Sequence, residues 1–316
     1  MKIDKELLKQ VIKDWNYILT SAGNKPHNDW LFFAENKLFA YNGYFYISTD
    51  YPIDHQFALN ANCLSLLDKD IEVGYTKDAS FIQAGKRKIE YSYPFIMQEK
   101  VDEFLLDQAE LSTLVPEDIH EAFKYVEPTN VTFSNVYVHE GCMYSTNSYF
   151  MYMKKTKCIN TVLPYGIQKI VKEDIRGIRD FGPGITVKFG NYLLSAMKTN
   201  GEAKDIIKLI PLLGATKKVV VDEYIIESLT SVKKFASEFK KKDIKLTLDF
   251  GDNIVITIEG VKSKFEDHVE YTGDVKGLKA KGHPDHLLDF FSQGLEFRCE
   301  GQDFFIHEDR VLWIGG

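Results

Sequence analysis

The sequence predicts an α+β protein of three topologically similar domains, each made from two strand–helix–strand–strand–strand units. Three observations carry this. Glu35–Ile47, ENKLFAYNGYFYI, is restated at Glu140–Tyr152, EGCMYSTNSYFMY, so that Asn42 aligned with Asn147 superimposes Tyr44-Phe45 on Tyr149-Phe150, 105 residues on. A fainter third copy stands at Asp252–Gly260, DNIVITIEG, at a similar interval. That period is too long for a solenoid unit and suits a domain. Finally, one order of elements recurs six times along the chain.

The totals fit. A chain of 316 residues, 44% hydrophobic and 13% aromatic, supports folded cores and two or three domains. We place the boundaries at 1–110, 111–213 and 214–316. No run reaches the roughly 18 apolar residues of a membrane span, and Met1–Glu6 lacks the apolar core of a secretory signal, so a soluble cytoplasmic protein without membrane contact is expected. Cys63, Cys142, Cys158 and Cys299 lie far apart with no C-x-x-C spacing, which reads as buried thiols rather than a zinc site or disulfide framework. The net charge of −7 argues against gripping nucleic acid over the whole surface, because such binding neutralises phosphates. It leaves room for cations gathered on one face.

In chain order, Lys5–Trp15 reads as a helix with Leu7, Leu8, Val11, Ile12 and Trp15 on one side, Asp4 as its N-cap and Lys5, Lys9 and Lys13 as a separate stripe. Trp30–Ala34, Lys37–Tyr41 and Tyr44–Thr49 alternate as strands around a turn at Asn42-Gly43. His55–Leu59, a short helix over Asn60–Leu67, and strands Ile71–Tyr75, Ser80–Ala84 and Lys88–Tyr93 repeat the order. Leu111–Val115 opens the second domain, followed by a helix from Pro116 through Tyr125, strands Val131–His139, Cys142–Thr146 and Tyr149–Lys154, and strand Ile159–Leu163. A helix of about ten residues from Pro164 follows, with Ile167, Ile170, Val171 and Ile175 on one face and Lys169, Lys172, Arg176 and Arg179 opposite. Ile185–Phe189 and Tyr192–Lys198 complete that unit. Strand Lys218–Val221, helix Asp222–Phe239 and strands Ile244–Phe250, Asn253–Glu259 and Phe265–Tyr271 make the fifth. Leu278–Lys281, helix Pro284–Phe291, Leu295–Cys299, Asp303–His307 and Val311–Ile314 make the sixth.

Chemistry is sparse. His283-x-x-His286 puts two imidazoles at a helix start, but only Asp285 and Asp289 stand near as further ligands, short of a metal site. Gly182-Pro183-Gly184 lacks the Lys-Ser/Thr of a phosphate loop, and no nucleophile elbow or H-E-x-x-H is present. We expect no catalytic residues, no metal and no cofactor: the chain is not read as an enzyme.

Six such units in three domains resemble the bacterial-type DNA polymerase sliding clamp, the β processivity subunit. The resemblance spans the chain and is carried best by Leu163–Gly201 and Gly277–Ile314. Where the family has T-D-G-H-R-L this chain has Thr146-Asn147-Ser148-Tyr149-Phe150-Met151, and its end, Arg310-Val311-Leu312-Trp313-Ile314-Gly315-Gly316, keeps the apolar strand but loses the family's Pro and Arg. These departures point to a phage-encoded member. The resemblance implies a clamp fold with sheets outside and helices inside, closed as a head-to-tail homodimer around double-stranded DNA without reading its bases. It also implies tethering of a DNA polymerase and service by a clamp loader. The DNA-facing residues it implies are Lys5, Lys9, Lys13, Lys124, Lys169, Lys172, Arg176, Lys233, Lys234 and His283. A partner-peptide pocket would be walled by Thr146, Ser148, Tyr149, Phe150, Pro211, Leu212, Val311, Leu312, Trp313 and Ile314. The dimer contact would set Lys86, Arg87 and Lys88 against Glu266, Asp267 and Glu270. The rival reading is a repeated-β binding or structural protein, such as a virion or carbohydrate-binding component, that encircles nothing.

Overall fold

A computed structural model of the chain describes residues 2–3, 5–20, 29–34, 36–53, 56–64, 71–75, 79–84, 86–92, 112–130, 133–198, 217–237, 246–259, 263–299, 304–308 and 310–313. All six units are recognisable among them. The first comprises β1 (Lys2–Ile3), α1 (Lys5–Asp14) with α2 (Asn16–Thr20), β2 (Trp30–Ala34), β3 (Lys37–Tyr41) and β4 (Phe45–Asp50). The second is β5 (Phe57–Asn60), α3 (Ala61–Leu64), β6 (Ile71–Tyr75), β7 (Ala79–Ala84) and β8 (Arg87–Ser92). In the third, an isolated bridge at Thr113 and Leu114 stands for the first strand, before α4 (Pro116–Phe123), β9 (Val136–His139), β10 (Cys142–Thr146) and β11 (Phe150–Lys155). The fourth is β12 (Thr161–Leu163), α5 (Ile167–Ile170), β13 (Ile175–Asp180), β14 (Gly184–Phe189) and β15 (Tyr192–Met197). β16 (Lys217–Val221), α6 (Tyr224–Ser237), β17 (Leu246–Phe250), β18 (Ile254–Glu259) and β19 (Lys264–Val269) make the fifth. After a short β20 (Tyr271–Gly273), the sixth is β21 (Lys279–Gly282), α7 (Pro284–Gln293), β22 (Glu296–Cys299), β23 (Phe304–His307) and β24 (Arg310–Trp313).

The units are interlocked. The first strand of each pairs with the three strands of its neighbour: β1 with β6 at Lys2↔Glu72, β5 with β2 at Trp30↔Asn60, β16 with β22 at Lys217↔Cys299, and β21 with β17 at Leu246↔Gly282. The bridge Leu114↔Ile175 does the same for β13, and β12 lies beside β9. No unit therefore completes a sheet from its own residues.

Chain contacts divide the protein into two compact units, one of Met1–Phe123, Tyr137–Gly141 and Thr156–Asn200, the other of Lys124–Val136, Cys142–Lys155 and Gly201–Gly316. The first holds a seven-stranded sheet, β13-β14-β15-β4-β3-β2-β5, in which β15 and β4 meet edge to edge from Tyr192↔Thr49 to Ala196↔Phe45. Its core is aromatic: Phe33 stacks on Phe57 with centroids 4.3 Å apart, and Phe32, Phe39, Tyr46 and Ala58 form a buried cluster. Within the second compact unit the order is β10-β11-β24-β23-β22-β16-β20, with β11 meeting β24 at Phe150↔Leu312, Met151↔Val311 and Tyr152↔Arg310. There Phe290, Phe291, Phe297 and Phe305 are almost wholly buried, the last two 4.4 Å apart. Two four-stranded sheets complete the set, β1-β6-β7-β8 and β19-β18-β17-β21.

The structure corrects the long helix expected after Pro164. The helix is α5 alone; Val171 is extended (φ −73°, ψ 117°), and Arg176 and Arg179 lie on β13. The apolar spacing of Ile167, Ile170, Val171 and Ile175 fits a helical face, but β-branched Ile175 and Ile178 pair instead with β14. Gly177 favours neither helix nor flat strand and sits beside a register shift. Helix α2 was not expected from the sequence. The N-cap reading of Asp4 lies outside the described residues.

The duplicated Asn-x-Tyr-Phe stretch is explained by one hydrogen-bond pattern made twice. Asn42 Oδ1 accepts from the backbone N–H of Tyr44 (3.1 Å) and Phe45 (2.8 Å), and Asn147 Oδ1 accepts from Tyr149 (3.1 Å) and Phe150 (2.8 Å). Both asparagines also close the hairpin through their backbone, Asn42 N–H to Phe45 C=O and Asn147 N–H to Phe150 C=O. The turn proper is thus Gly43-Tyr44 and Ser148-Tyr149, one residue later than the Asn-Gly signal implied. Its first residue is left-handed, φ 94° at Gly43 and 74° at Ser148. Glycine takes that conformation freely whereas serine is strained. Replacing Asn147 with Ala should lower stability by about 1–3 kcal/mol in urea denaturation, because two backbone donors lose their acceptor. Ser148→Gly should raise it by up to about 1 kcal/mol; the opposite signs would refute this account of the turn.

Candidate functional site

Among the described residues, the Ser148-Tyr149 turn carries the most exposed aromatic side chain of the second compact unit. Tyr149 is 55% exposed because the turn throws it outward, whereas the next residue, Phe150, enters β11 and is 5% exposed. The Tyr149 ring lies 4.4 Å from His286 of α7, and His286 also meets Phe150 at 5.3 Å and His283 at 5.3 Å. Beneath, Tyr125 meets Phe150 edge-on at 5.9 Å and stacks on Tyr152 at 5.8 Å, with the Arg310 guanidinium 5.7 Å from the Tyr125 ring. Thr146 Oγ1 accepts from the Ser148 N–H at 3.2 Å.

The expected pocket residues are partly assembled here. Thr146, Phe150, Val311 and Leu312 come together at the β11/β24 seam, but all are buried, so they support the surface instead of presenting it. Ser148 and Tyr149 are the exposed members. Trp313 pairs with Phe304 in β24, and Pro211, Leu212 and Ile314 lie outside the described residues. Tyr125, His286 and Arg310 were missed as members. The His-x-x-His spacing was visible, but its use differs: His283 Nδ1 caps α7 by accepting from the Asp285 N–H, while His286 stacks on aromatic rings. Among the described residues, no three His, Cys, Asp or Glu side chains gather as a metal site.

The expected DNA-facing residues fall in two sets. In the first compact unit, Lys5, Lys9 and Lys13 lie on α1, where Lys9 pairs with Glu6 at 2.8 Å and Lys13 is exposed. Lys169 of α5 is exposed and extends over the rings of Tyr17 (4.9 Å) and Tyr165 (5.3 Å). Gly166, with φ 102°, permits this approach, since a Cβ there would lie 2.8 Å from the Tyr17 hydroxyl. Lys172 borders a cavity of about 170 Å³ with Gln10, Asp14, Trp15 and Glu173. Arg176 is exposed but, like Arg179, on β13, so the helix stripe of Lys169, Lys172, Arg176 and Arg179 is not formed. In the second compact unit, Lys124 follows α4 and is exposed, and Lys233 and Lys234 are exposed on α6, Lys233 pairing with Asp285 at 2.8 Å.

Lys86 precedes β8, and Arg87 and Lys88 lie on it; Glu266 and Asp267 lie on β19, with Glu270 just beyond its end. β8 and β19 each end their four-stranded sheet.

Burial disfavours the imidazolium of His286, and His283 adds to this, so its pKa falls below the ordinary 6.5 although Asp285 and Asp289 oppose the shift. The unfolded state then binds the proton better. The contribution to stability is whole above about pH 6.5 and is lost as pH falls from there through the folded value. The urea midpoint of the second compact unit should therefore drop between about pH 7.5 and about pH 5.5, and His286→Gln should flatten that slope; an unchanged slope would assign the loss elsewhere.

Neither a protein-family model nor a curated protein sequence matches the chain. Solved structures do. The DNA polymerase sliding clamp from Caulobacter crescentus superposes with a TM-score of 0.72 over 100% of this chain and 99% of its own, at 13% identity. The sliding clamp from Pseudomonas aeruginosa gives 0.68, also at 13% identity and 100% and 99% coverage. The beta subunit from the DNA polymerase of Streptococcus pyogenes gives 0.69, with 13% identity and 99% of each chain covered. Along essentially its whole length, the chain has the sliding-clamp fold of bacterial DNA polymerase beta subunits.

Proposed function

We propose that the chain is a non-enzymatic DNA sliding clamp: two copies join head to tail, enclose duplex DNA and tether a replicative polymerase, with a clamp loader placing the ring. The observation that carries this reading is the match to clamp structures over the full length of both chains. On this reading the chain forms three domains bounded near residues 110 and 213 and works in the cytoplasm, where a phage origin would place it in a host cell.

The physics is undemanding. A ring held by topology needs no base contact, only inward cations that keep phosphates close without fixing them. Lys5, Lys9, Lys13, Lys124, Lys169, Lys172, Lys233, Lys234 and His283 take that role here, with Lys124, Lys172 and His283 just outside helix ends; Arg176, on a strand, stands apart from them. Lys9 and Lys233 already have exposed carboxylate partners, and such pairs contribute about 0–1 kcal/mol, so exchange for a phosphate is cheap. Tyr149 with His286 supplies an accessible aromatic platform for an apolar polymerase or loader peptide, the residue type that dominates binding hot spots.

Protein loaded on a closed circular duplex should stay bound through a high-salt wash and be released when the circle is cut. Release from the circle as fast as from the linear form would sink the proposal. Tyr149→Ala should weaken binding of the polymerase's apolar peptide at least about tenfold while leaving retention on the circle unchanged.

A further inference from the structure

The two edge-to-edge seams within the chain are instances of one arrangement, and they leave one instance unmade. β4 and β11 are the last strands of the first and third six-fold units, and each pairs with the last strand of a later one, β15 or β24. The remaining last strands are β19 of the fifth unit and β8 of the second, and both end their sheets. Resting on the homodimer reading above, we infer that two copies join β8 to β19 in one definite register: Arg87 opposite Asp267, Lys88 opposite Glu266, Ile89 opposite Phe265 and Glu90 opposite Lys264.

The register follows from the hairpins. The last ladder pair is Phe189↔Tyr192 for β15, His307↔Arg310 for β24 and Ala84↔Arg87 for β8, with two residues between its members in each. On the other side, the last ladder pair is Tyr41↔Tyr46 for β4, Thr146↔Met151 for β11 and Glu259↔Lys264 for β19, with four residues between its members in each. Tyr192, Arg310 and Arg87 are thus equivalent, as are Tyr46, Met151 and Lys264. In the first seam Tyr192 faces Thr49, three residues past Tyr46; in the second Arg310 faces Tyr152, one past Met151. Transferred to β8 and β19, these offsets put Arg87 opposite either Asp267 or Phe265.

Both offsets keep the faces of the sheet continuous, which a one-residue slip would not. Ile89 lies opposite buried Ile82 and so faces the core, as does Phe265, which packs 5.8 Å from Phe235 of α6. Asp267 shares that face, and its bond to the Tyr224 hydroxyl of α6 helps to raise the pKa of that tyrosine. Lys88, Glu90, Lys264 and Glu266 are exposed on the opposite face.

Charge decides between the two. The first offset aligns Arg87 with Asp267, Lys88 with Glu266, Glu90 with Lys264, and apolar Ile89 with apolar Phe265. The second sets Lys88 against Lys264 and buries Arg87 against Phe265. A shift two residues the other way opposes Glu90 to Glu266. Like charges directly opposite are unfavourable and opposite ones favourable, so one register satisfies all four of these positions. Within one copy, Lys88 already lies 3.4 Å from Glu90, and Lys264 bonds to Glu266. Joining the strands converts two separate pairs into a four-charge network on one face.

Sedimentation and cysteine cross-linking of the full chain test this. Lys88→Glu and Glu266→Lys should each weaken self-association by on the order of tenfold, and the two together on one chain should restore it to within about threefold of the parent. Under mild oxidation, Lys88→Cys with Glu266→Cys should give a covalent dimer, and Lys88→Cys with Lys264→Cys should not. A parent chain that stays monomeric at high concentration overturns the homodimer reading and the register together. A parent dimer that cross-links through 88 and 264, or a double swap that stays as weak as the single ones, overturns the register alone.

Discussion

An edge strand leaves a row of backbone N–H and C=O groups unpaired, and most of this structure answers that constraint. Each strand–helix–three-strand unit gives its first strand to a neighbour and receives one in return, as β16 and β21 do around β22 and β17. That exchange seals one side of every four-stranded set. The other side is sealed where last strands meet, at β4/β15 and β11/β24. The helices then have one face left to cover, and their apolar stripes cover it: Leu8 and Val11 of α1 with Trp15 directly after it, and Ile225, Leu229 and Val232 of α6, are buried.

Much of this was legible in the sequence because local pattern and tertiary demand agree. Alternation marked the hairpins, amphipathic spacing marked α1, and a proline at the first helical position marked α4. The resemblance of residues 35–47 to 140–152 turned out to record a pair of side-chain hydrogen bonds from Asn42 and Asn147, not merely a shared turn. The failures have a common cause. Over Pro164–Arg179 a helix-like apolar period coincided with residues that a strand partner could claim, and Leu114 and Phe189 claimed Ile175. Which strands exchange places is invisible to any window, since the partners lie from about 30 residues apart, as Trp30 and Asn60 do, to about 80, as Lys217 and Cys299 do.

The candidate site shows the same division. Tyr149 and Phe150 stood out in the repeat, and their opposite fates follow from the turn: one side chain is thrown outward, and the next enters the ladder. Tyr125 and Arg310 carried no signal, because their membership depends on a β11/β24 seam that joins distant segments. His286 carried one of another kind. A pair of imidazoles three apart was read as short of a metal site, and at the start of α7 one ring serves the backbone and the other serves the aromatic platform.

The exchange of first strands also bears on how the polypeptide is made. β16 leaves the ribosome well before β20 and β22, its partners on either side, because Lys217–Cys299 and Val219–Gly273 are its pairings. During that interval Val219, Val220 and Val221 form a sticky ribbon with nothing to hold it. Lys217 and Lys218 stand directly before them, like-charged side chains that discourage two nascent chains from zippering together. Those lysines thus guard synthesis as well as decorating the finished sheet.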